Sequence, residues 1–234
     1  MTQPISYHNP VLLKESVDGL NIDPSGVYVD VTFGGGGHSR EILARLGPKG
    51  KLFAFDQDID ALKNAMEDER FMLIPQNFGY MKRFLRLYGI KEVDGILADL
   101  GVSSHQFDEA ARGFSTRFDA RLDMRMNQDQ DLDAVIVLNQ YSEEDLVRIF
   151  KSYGELRIAL KLAQRIIAAR QESEVTTVAD LKAICAPLVP ERIEHKLLAQ
   201  VFQAIRIEVN KEMEVLYDFL RQSENILKIG GRLS

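Results

Sequence analysis

Four consecutive glycines, Gly34–Gly37, separate a strand-like stretch from a helix-like one. A strand, a glycine turn and a helix start in this order place backbone N–H groups against a ligand. A phosphate-binding P-loop would need a lysine after the glycines. No lysine or arginine occurs between residues 28 and 39. The loop therefore predicts a ligand-binding site of another class.

Two nucleoside ligands fit the glycine loop. Gly34 and Gly36 match the first two glycines of the dinucleotide fingerprint, but Ser39 occupies its third small position. S-adenosylmethionine carries a sulfonium cation and no phosphate, which suits a loop that lacks positive charge and is flanked by Asp30. Asp56 ends the next strand-like run, where a carboxylate can accept hydrogen bonds from both ribose hydroxyls of either ligand. Charge and spacing favour the methyl donor and leave a nicotinamide oxidoreductase as the alternative.

The elements that position these residues follow an alternating pattern. Apolar, β-rich runs occupy residues 27–33, 51–56, 71–75 and 93–100, and helix-like segments occupy 38–46, 58–68 and 79–89. Continuous apolar runs are typical of strands that are buried on both faces of a parallel sheet. The alternation predicts an α/β, doubly wound, Rossmann-like sheet.

After the fourth strand the pattern changes. Residues 101–133 are polar and aperiodic, which predicts a long functional loop, and helical segments follow. Ser142 with Asp145, and Thr177 with Asp180, are spaced as capping boxes. We expect Gly230-Gly231 to end the last helix, with a strand beginning just after it. The predicted organisation is a core over 1–104, a loop and helical insert over 105–205, and a return to the core over 206–234.

Composition limits the class of protein. The chain has 234 residues, 45% of them hydrophobic, and a net charge of −6, so a nucleic-acid partner would need a local basic patch. No stretch reaches the ~18 apolar residues of a membrane helix, and the N-terminal residues do not resemble a signal peptide. Cys185 is the one cysteine, and the histidines show no zinc spacing, so no metal site is expected. These features predict a cytoplasmic enzyme that does not bind membranes.

Several stretches together resemble one family. They are YHNPVLLKE (7–15), VDVTFGGGGHS (29–39), DGILADLGVSSHQFD (94–108), RGFS…LDMRM (112–126), YGE-x-R (153–157) and FQAIRIEVNKE (202–212). The chain resembles the bacterial methyltransferases that methylate N4 of a cytosine in small-subunit (16S) ribosomal RNA. The resemblance implies a methyltransferase core with an RNA-recognising helical insert, and S-adenosylmethionine as cofactor. The donor-binding residues that it implies are Gly36, Gly37, His38, Asp56, Phe78, Asp99 and Gln106.

The chain departs from the family pattern at three places. Ala120-Arg121 stands before LDMRM, where the family usually has Gly-Pro. Gln200 replaces a usual arginine, which weakens the case for an RNA contact there. Family members also continue beyond GGRLS, whereas this sequence stops at Ser234. We therefore expect the sheet to lack its last strands and the activity of this chain to be reduced.

The implied chemistry needs a hydrogen-bond acceptor. The N4 amine of cytosine is a poor nucleophile because its lone pair is delocalised into the ring. Holding the reacting atoms in line can contribute roughly 7–11 kcal/mol, more than a general base contributes. Asp99, at the end of the fourth strand, is the candidate acceptor, with Ser103 and Ser104 as alternatives.

The long loop combines arginines with aromatic residues. Arg112, Arg117, Arg121 and Arg125 are interspersed with Phe114 and Phe118. Such a mixture can contact phosphates and stack on bases, so we expect these arginines to bind RNA, with salt bridges to Asp119 and Asp123 as the competing role. A non-catalytic RNA-binding module in ribosome assembly is a further alternative. The sequence leaves the oligomeric state open, a homodimer being one option.

Overall fold

The computed structural model describes residues 10–234. The chain forms two compact units. The core unit consists of the residues up to Ser103 together with Glu214–Ser234, and the helical unit is Ser104–Met213. His8 and the first residues of the YHNPVLLKE stretch lie outside the described residues. No helix within 10–234 is both long and apolar enough to cross a membrane.

A parallel sheet forms the centre of the core unit. Its strands are β1 (Val27–Asp30), β2 (Lys51–Phe55), β3 (Phe71–Ile74), β4 (Val93–Leu97) and β5 (Leu227–Leu233). They lie in the order β3-β2-β1-β4-β5, and all neighbours pair in parallel. The order reverses direction between β1 and β4, and such a switch point leaves a crevice at the carboxyl ends of the strands. The predicted α/β Rossmann-like fold with a helical insert after the fourth strand is confirmed.

Helices connect the strands and build the insert. They are α1 (Leu13–Gly19), α2 (Gly37–Arg45), α3 (Met81–Leu87), α4 (Ser104–Asp108), α5 (Ala134–Gln140), α6 (Glu143–Ser152), α7 (Ala159–Glu172), α8 (Val178–Cys185), α9 (Glu191–Val209) and α10 (Glu212–Ile226). The segment expected as a helix over 58–68 is instead a shorter 3-10 helix, Ile59–Asn64. The Asp58 carboxylate begins that helix by accepting a hydrogen bond from the Asp60 N–H.

The sheet is buried on both faces, which explains its continuous apolar strands. Val29 faces a cluster that includes residues of α3 and α10, among them Phe219. Its neighbour Tyr28 faces the opposite cluster, which includes residues of α1 and α2, among them Ile42. Successive strand residues point to opposite faces, so each strand needs apolar side chains at every position. The result is a three-layer arrangement in which the carboxyl edge of the sheet faces the loops.

The glycine pair near the end of the sequence does not stop a helix, so that prediction was wrong. Helix α10 ends at Ile226, and Gly230-Gly231 lies inside β5. The pairing register shifts there, because Leu227 pairs with Val93 whereas Arg232 pairs with Gly95. Gly230 has φ +84°, a left-handed conformation that glycine adopts most readily. A glycine in a strand can mark a bulge, and this alternative meaning explains the error.

The helical unit has its own buried core and well-capped helices. Ser142 caps α6 by accepting a hydrogen bond from the Asp145 N–H at 3.1 Å. Thr177 and Asp180 form the reciprocal capping box predicted at the start of α8. Phe150 of α6 and Leu162 of α7 are completely buried. Between α4 and α5 the chain is mostly irregular, as the aperiodic sequence predicts.

Candidate functional site

The glycine loop joins β1 to α2 at the carboxyl edge of the sheet. Gly34 and Gly36 have φ values of +49° and +74°, a region in which a side chain is strained. Gly37 is required for a different reason, since a Cβ there would lie 2.4 Å from Cγ of Pro10. The loop thus presents backbone, with no intervening side chains at these positions, beside the first turn of α2.

Asp56 follows β2 and holds the glycine loop from the other side. One carboxylate oxygen accepts from the Gly34 N–H at 2.8 Å, and the other accepts from the Asp58 N–H at 2.8 Å. Burial raises the pKa of Asp56 to about 6, against the lowering effect of these two hydrogen bonds. Asn64 also holds the loop, because its side-chain amide donates to the Gly34 carbonyl at 3.0 Å. Each Asp56 oxygen retains a lone pair for a hydroxyl donor.

His38, in the first turn of α2, carries a buried polar atom. Its side chain is 5% exposed, and its Nε2 has no hydrogen-bond partner among residues 10–234. A buried polar atom normally has a partner, so an unsatisfied one in a candidate site favours a bound ligand. The residue that follows, Ser39, is fully buried and donates its hydroxyl to Asp30 at 2.7 Å. Burial raises the pKa of Asp30.

Asp99 lies just beyond β4, across the switch point from the glycine loop. Its side chain is exposed, and its backbone N–H donates to the Thr32 hydroxyl at 2.8 Å. No described residue hydrogen-bonds to the Asp99 carboxylate, which leaves its oxygens open to a ligand or substrate. Ser103 follows in the same unit and is half-buried.

Phe78 follows β3 in a short 3-10 helix, Phe78–Tyr80. Its half-buried ring packs edge-on against Phe219, with the ring centroids 5.4 Å apart. The side-chain Oδ1 of Asn77 caps this helix by accepting a hydrogen bond from the Gly79 N–H at 2.7 Å. Phe78 therefore contributes to the core, and its binding of the donor stays a prediction.

The sequence-predicted residues divide between the two units. Gly36, Gly37, His38, Asp56, Phe78, Asp99 and Ser103 belong to the core unit. Ser104 and Gln106 belong to the helical unit, where both lie in α4. Ser104 is exposed, whereas the Gln106 side chain is 5% exposed. The six donor-site residues of the core unit all lie at or just after the carboxyl end of a strand.

Two of the predicted RNA-binding arginines hold their own loop together. The Arg112 side chain is 5% exposed, and its Nη2 donates to the carbonyls of Arg125 and Met126 at 2.9 and 3.2 Å. Arg125 forms a two-pronged ion pair with Asp123, with distances of 2.9 and 2.7 Å. The expected competition from Asp123 is therefore real. Asp119 instead accepts from the Ala179 N–H in α8.

The other two arginines are accessible. The Arg117 side chain is 61% exposed, pairs with Asp108 and lies over the Phe118 ring at 5.4 Å. The Arg121 side chain is 58% exposed and pairs with the buried Asp133. The Arg117–Asp108 ion pair is exposed on both sides and therefore weak, so Arg117 can exchange its carboxylate for a phosphate at little cost. Arg121 is accessible too, but it neutralises a buried carboxylate, so it would contact a phosphate while keeping that pair.

Two residues of the site were not identified from the sequence, namely Thr32 and Asn64. Thr32 lies two positions after Asp30, a spacing that favours a turn closed by the aspartate side chain. That local signal was available. The partner of Asn64 is the carbonyl of a residue 30 positions earlier, and no local pattern indicates such a contact.

Comparison with known proteins gives a consistent family match. Residues 5–234 match the model of the MraW methylase family. A protein of Flavobacterium johnsoniae named "Ribosomal RNA small subunit methyltransferase H" is 63% identical over 234 residues, which are 100% of this chain and 78% of that protein. A protein of the same name from Bacteroides thetaiotaomicron is 55% identical over 229 residues, which are 98% of this chain and 75% of that protein.

Proposed function

The chain belongs to the MraW methylase family, and we propose that it transfers a methyl group from S-adenosylmethionine to small-subunit (16S) ribosomal RNA. The observation that carries this proposal is the family match over residues 5–234, together with relatives that bear the name of a small-subunit methyltransferase. The donor, when bound, supplies an electrophilic methyl group on a sulfonium sulfur. The residues of this chain bind and orient the reactants.

The glycine loop and Asp56 fit such a donor. The loop offers backbone N–H groups for the donor carboxylate, and it contains no cation that would repel the sulfonium. Asp56 can accept hydrogen bonds from the ribose hydroxyls through the lone pairs that Gly34 and Asp58 leave open. In this proposal the bound donor supplies the hydrogen-bond partner that Nε2 of His38 otherwise lacks. These features support Gly36, Gly37, His38 and Asp56 as donor-binding residues. Phe78, Asp99 and Gln106 are proposed for the same role from the family resemblance.

We further propose that the acceptor atom is N4 of a cytosine. The support is the resemblance of DLGVSS and LDMRM to the methyltransferases with that specificity, and the exposed carboxylate of Asp99 at the switch point. Asp99 would accept a hydrogen bond from the amine, so that the lone pair localises on nitrogen and faces the methyl group. Ser103 and Ser104 are secondary candidates for this role. The target base must be unstacked to reach the donor.

The helical unit is the proposed RNA-recognition part. Arg117 with Phe118 offers a cation and a ring at one exposed position, and Arg121 offers a second cation. These suit phosphate contact and base stacking. Arg112 and Arg125 would act indirectly, by fixing the loop that carries the other two. Small ribosomal subunits are made in the bacterial cytoplasm, which is where we place the enzyme.

Transfer of labelled methyl groups tests the proposal. The protein is incubated with methyl-labelled S-adenosylmethionine and either undermethylated small subunits, their free 16S RNA, or transfer RNA. We expect incorporation with small subunits or their RNA and none with transfer RNA. Calorimetry with S-adenosylhomocysteine and NAD, run in parallel, should show binding of the first alone. Binding of NAD without any methyl incorporation would refute the proposal.

A further inference from the structure

A connected series of hydrogen bonds in the core unit joins α2 to the loop after β4. It begins in α2, where the Ser39 hydroxyl donates to one oxygen of Asp30 at 2.7 Å. The other Asp30 oxygen accepts from the N–H and the hydroxyl of Thr32, at 3.0 and 3.4 Å. The series ends beyond β4, where the Thr32 hydroxyl accepts from the Asp99 N–H at 2.8 Å. It thereby links the helix after the glycine loop to the loop after β4.

Thr32 is the residue at which this series of hydrogen bonds passes from Asp30 to Asp99. A hydroxyl has one hydrogen to donate and two lone pairs with which to accept. At Thr32 the hydrogen is directed to Asp30, and one lone pair takes the Asp99 N–H. Because Asp30 is fully buried and has three donors around it, its carboxylate is a rigid anchor. Besides the pairing of β1 with β4, it is the Thr32 hydroxyl that links this anchor to the Asp99 backbone.

The strand pairing holds the residues before Asp99 as far as Leu97, whose carbonyl accepts from the Val31 N–H at 2.9 Å, and beyond it the Thr32 hydroxyl holds Asp99 itself. Its carboxylate has no hydrogen-bond partner among the described residues, and its side chain is exposed. The preceding residue, Ala98, is bonded on the other side, since its N–H donates to the Ser234 carbonyl at 2.9 Å. Loss of the Thr32 contact would therefore free the backbone of Asp99 on the side that faces the glycine loop.

We propose that Thr32 is a positioning residue, whose hydroxyl holds the backbone of Asp99 at a fixed place relative to the glycine loop through the anchor Asp30. The inference rests on the proposed function, in which Asp99 faces the acceptor amine. Thr32 itself touches no reactant. Its effect is on the placement of Asp99, and a misplacement by about 1 Å can reduce turnover by about 10²-fold.

Three variants test the proposal. Thr32→Val keeps the shape of the side chain and removes the hydroxyl, whereas Thr32→Ser keeps the hydroxyl. Ser223→Ala is the control, because Ser223 is another hydroxyl residue of the core unit, is buried, and donates to the Phe219 carbonyl at 2.8 Å. Turnover is measured at saturating donor and RNA. We expect a fall of about 10- to 100-fold in Thr32→Val, near wild-type turnover in Thr32→Ser, and an unchanged rate in Ser223→Ala.

A double-mutant cycle separates positioning from general damage. If Thr32 acts through Asp99, Thr32→Val should have little further effect on turnover in an Asp99→Asn background. A loss of turnover in the double variant equal to the product of the two single losses would overturn the proposal. Full turnover in Thr32→Val, or an equal loss in Thr32→Ser, would also overturn it. Thr32→Ala takes the place of Thr32→Val if the valine variant does not fold.

A structural measurement distinguishes failure of this inference from failure of the proposed function. Amide hydrogen exchange at Asp99, followed by nitrogen-edited NMR, needs no substrate. We expect faster exchange at Asp99 in Thr32→Val and wild-type exchange in Thr32→Ser. Unchanged exchange in Thr32→Val would refute the positioning role even in an active enzyme. If exchange at Asp99 is faster in Thr32→Val but the wild-type protein methylates no RNA, the positioning role of Thr32 stands and the proposed function is refuted instead.

Discussion

The pKa of Asp56 makes donor binding depend on pH in a range where an ordinary aspartate would not titrate. Burial raises the pKa of this carboxyl from 3.8 to about 6 in the donor-free protein. The ionised form is the better acceptor for two ribose hydroxyls, so the donor should bind it preferentially. A carboxyl with pKa about 6 is roughly 10% ionised at pH 5 and nearly fully ionised at pH 7.5. At an ordinary pKa it would already be more than about 90% ionised at pH 5.

The dissociation constant of S-adenosylhomocysteine should therefore increase about tenfold as the pH is lowered from 7.5 to 5. Most of the change should fall below pH 6, where the neutral carboxyl predominates. Neither ionisable group of the ligand's amino-acid end titrates in this interval, so the dependence belongs to the protein. Isothermal calorimetry at half-unit steps of pH, in buffers of matched ionic strength, measures it. Asp56→Asn is the matched variant, and we expect it to bind more weakly than wild type at pH 7.5 with a nearly flat profile.

The same shift fixes the sign of a stability effect. Because the pKa is raised in the folded state, the contribution of Asp56 to stability is present below about pH 4 and is lost as the pH rises through about 6. Saturating ligand, which favours the carboxylate, should offset this loss, so the ligand-induced increase in Tm should be larger at pH 7.5 than at pH 5. A wild-type dissociation constant that is constant from pH 5 to 7.5 would refute the reasoning. An identical pH profile in Asp56→Asn would assign the dependence to another group.

Two further predictions concern the arginines of the long loop. Replacing both Arg117 and Arg121 by alanine should reduce the slope of log affinity against log salt by about 2, since each lost phosphate contact contributes about 1. Arg45→Ala, which removes an ion-paired arginine in the last turn of α2 in the core unit, should leave the slope unchanged. An unchanged slope in the double variant would exclude both arginines from the RNA contact. Arg112→Met should lower the free energy of unfolding by about 2–3 kcal/mol, because it removes the donor from two half-buried carbonyls. Thermal denaturation measures this loss, and a wild-type Tm would show that the buried guanidinium is dispensable.

The sequence was sufficient wherever a signal is local. The apolar runs located β1 to β4 because each strand is buried on both faces, and the Thr177–Asp180 spacing located the start of α8. Gly230 shows the limit of a local signal, because a glycine serves both helix ends and strand bulges. The pairing of β5 with β4 decides between these two uses, and that pairing joins segments more than a hundred residues apart.

The site was predictable to a similar extent. That Asp56 and Asp99 gather with the glycine loop follows from the rule that parallel strands end at one edge. The elevated pKa of Asp56 did not follow, since it arises from burial that only packing creates. The Thr32–Asp99 hydrogen bond spans 67 positions, and the partners of Arg112 are backbone carbonyls, which carry no sequence signature. Such long-range contacts with backbone carbonyls determine which arginines of the loop are structural and which stay accessible.

The central claim is methyl transfer to one kind of atom in one RNA. The most direct measurement is nucleoside mass spectrometry of 16S RNA from small subunits that were incubated with this protein and deuterated-methyl S-adenosylmethionine. A matched incubation with Asp56→Asn at limiting donor serves as the control. We expect deuterated N4-methylcytidine in the wild-type digest and a reduced amount with the variant. A deuterated methyl group found only on another atom or base, or none at all with a protein that binds the donor, would contradict it.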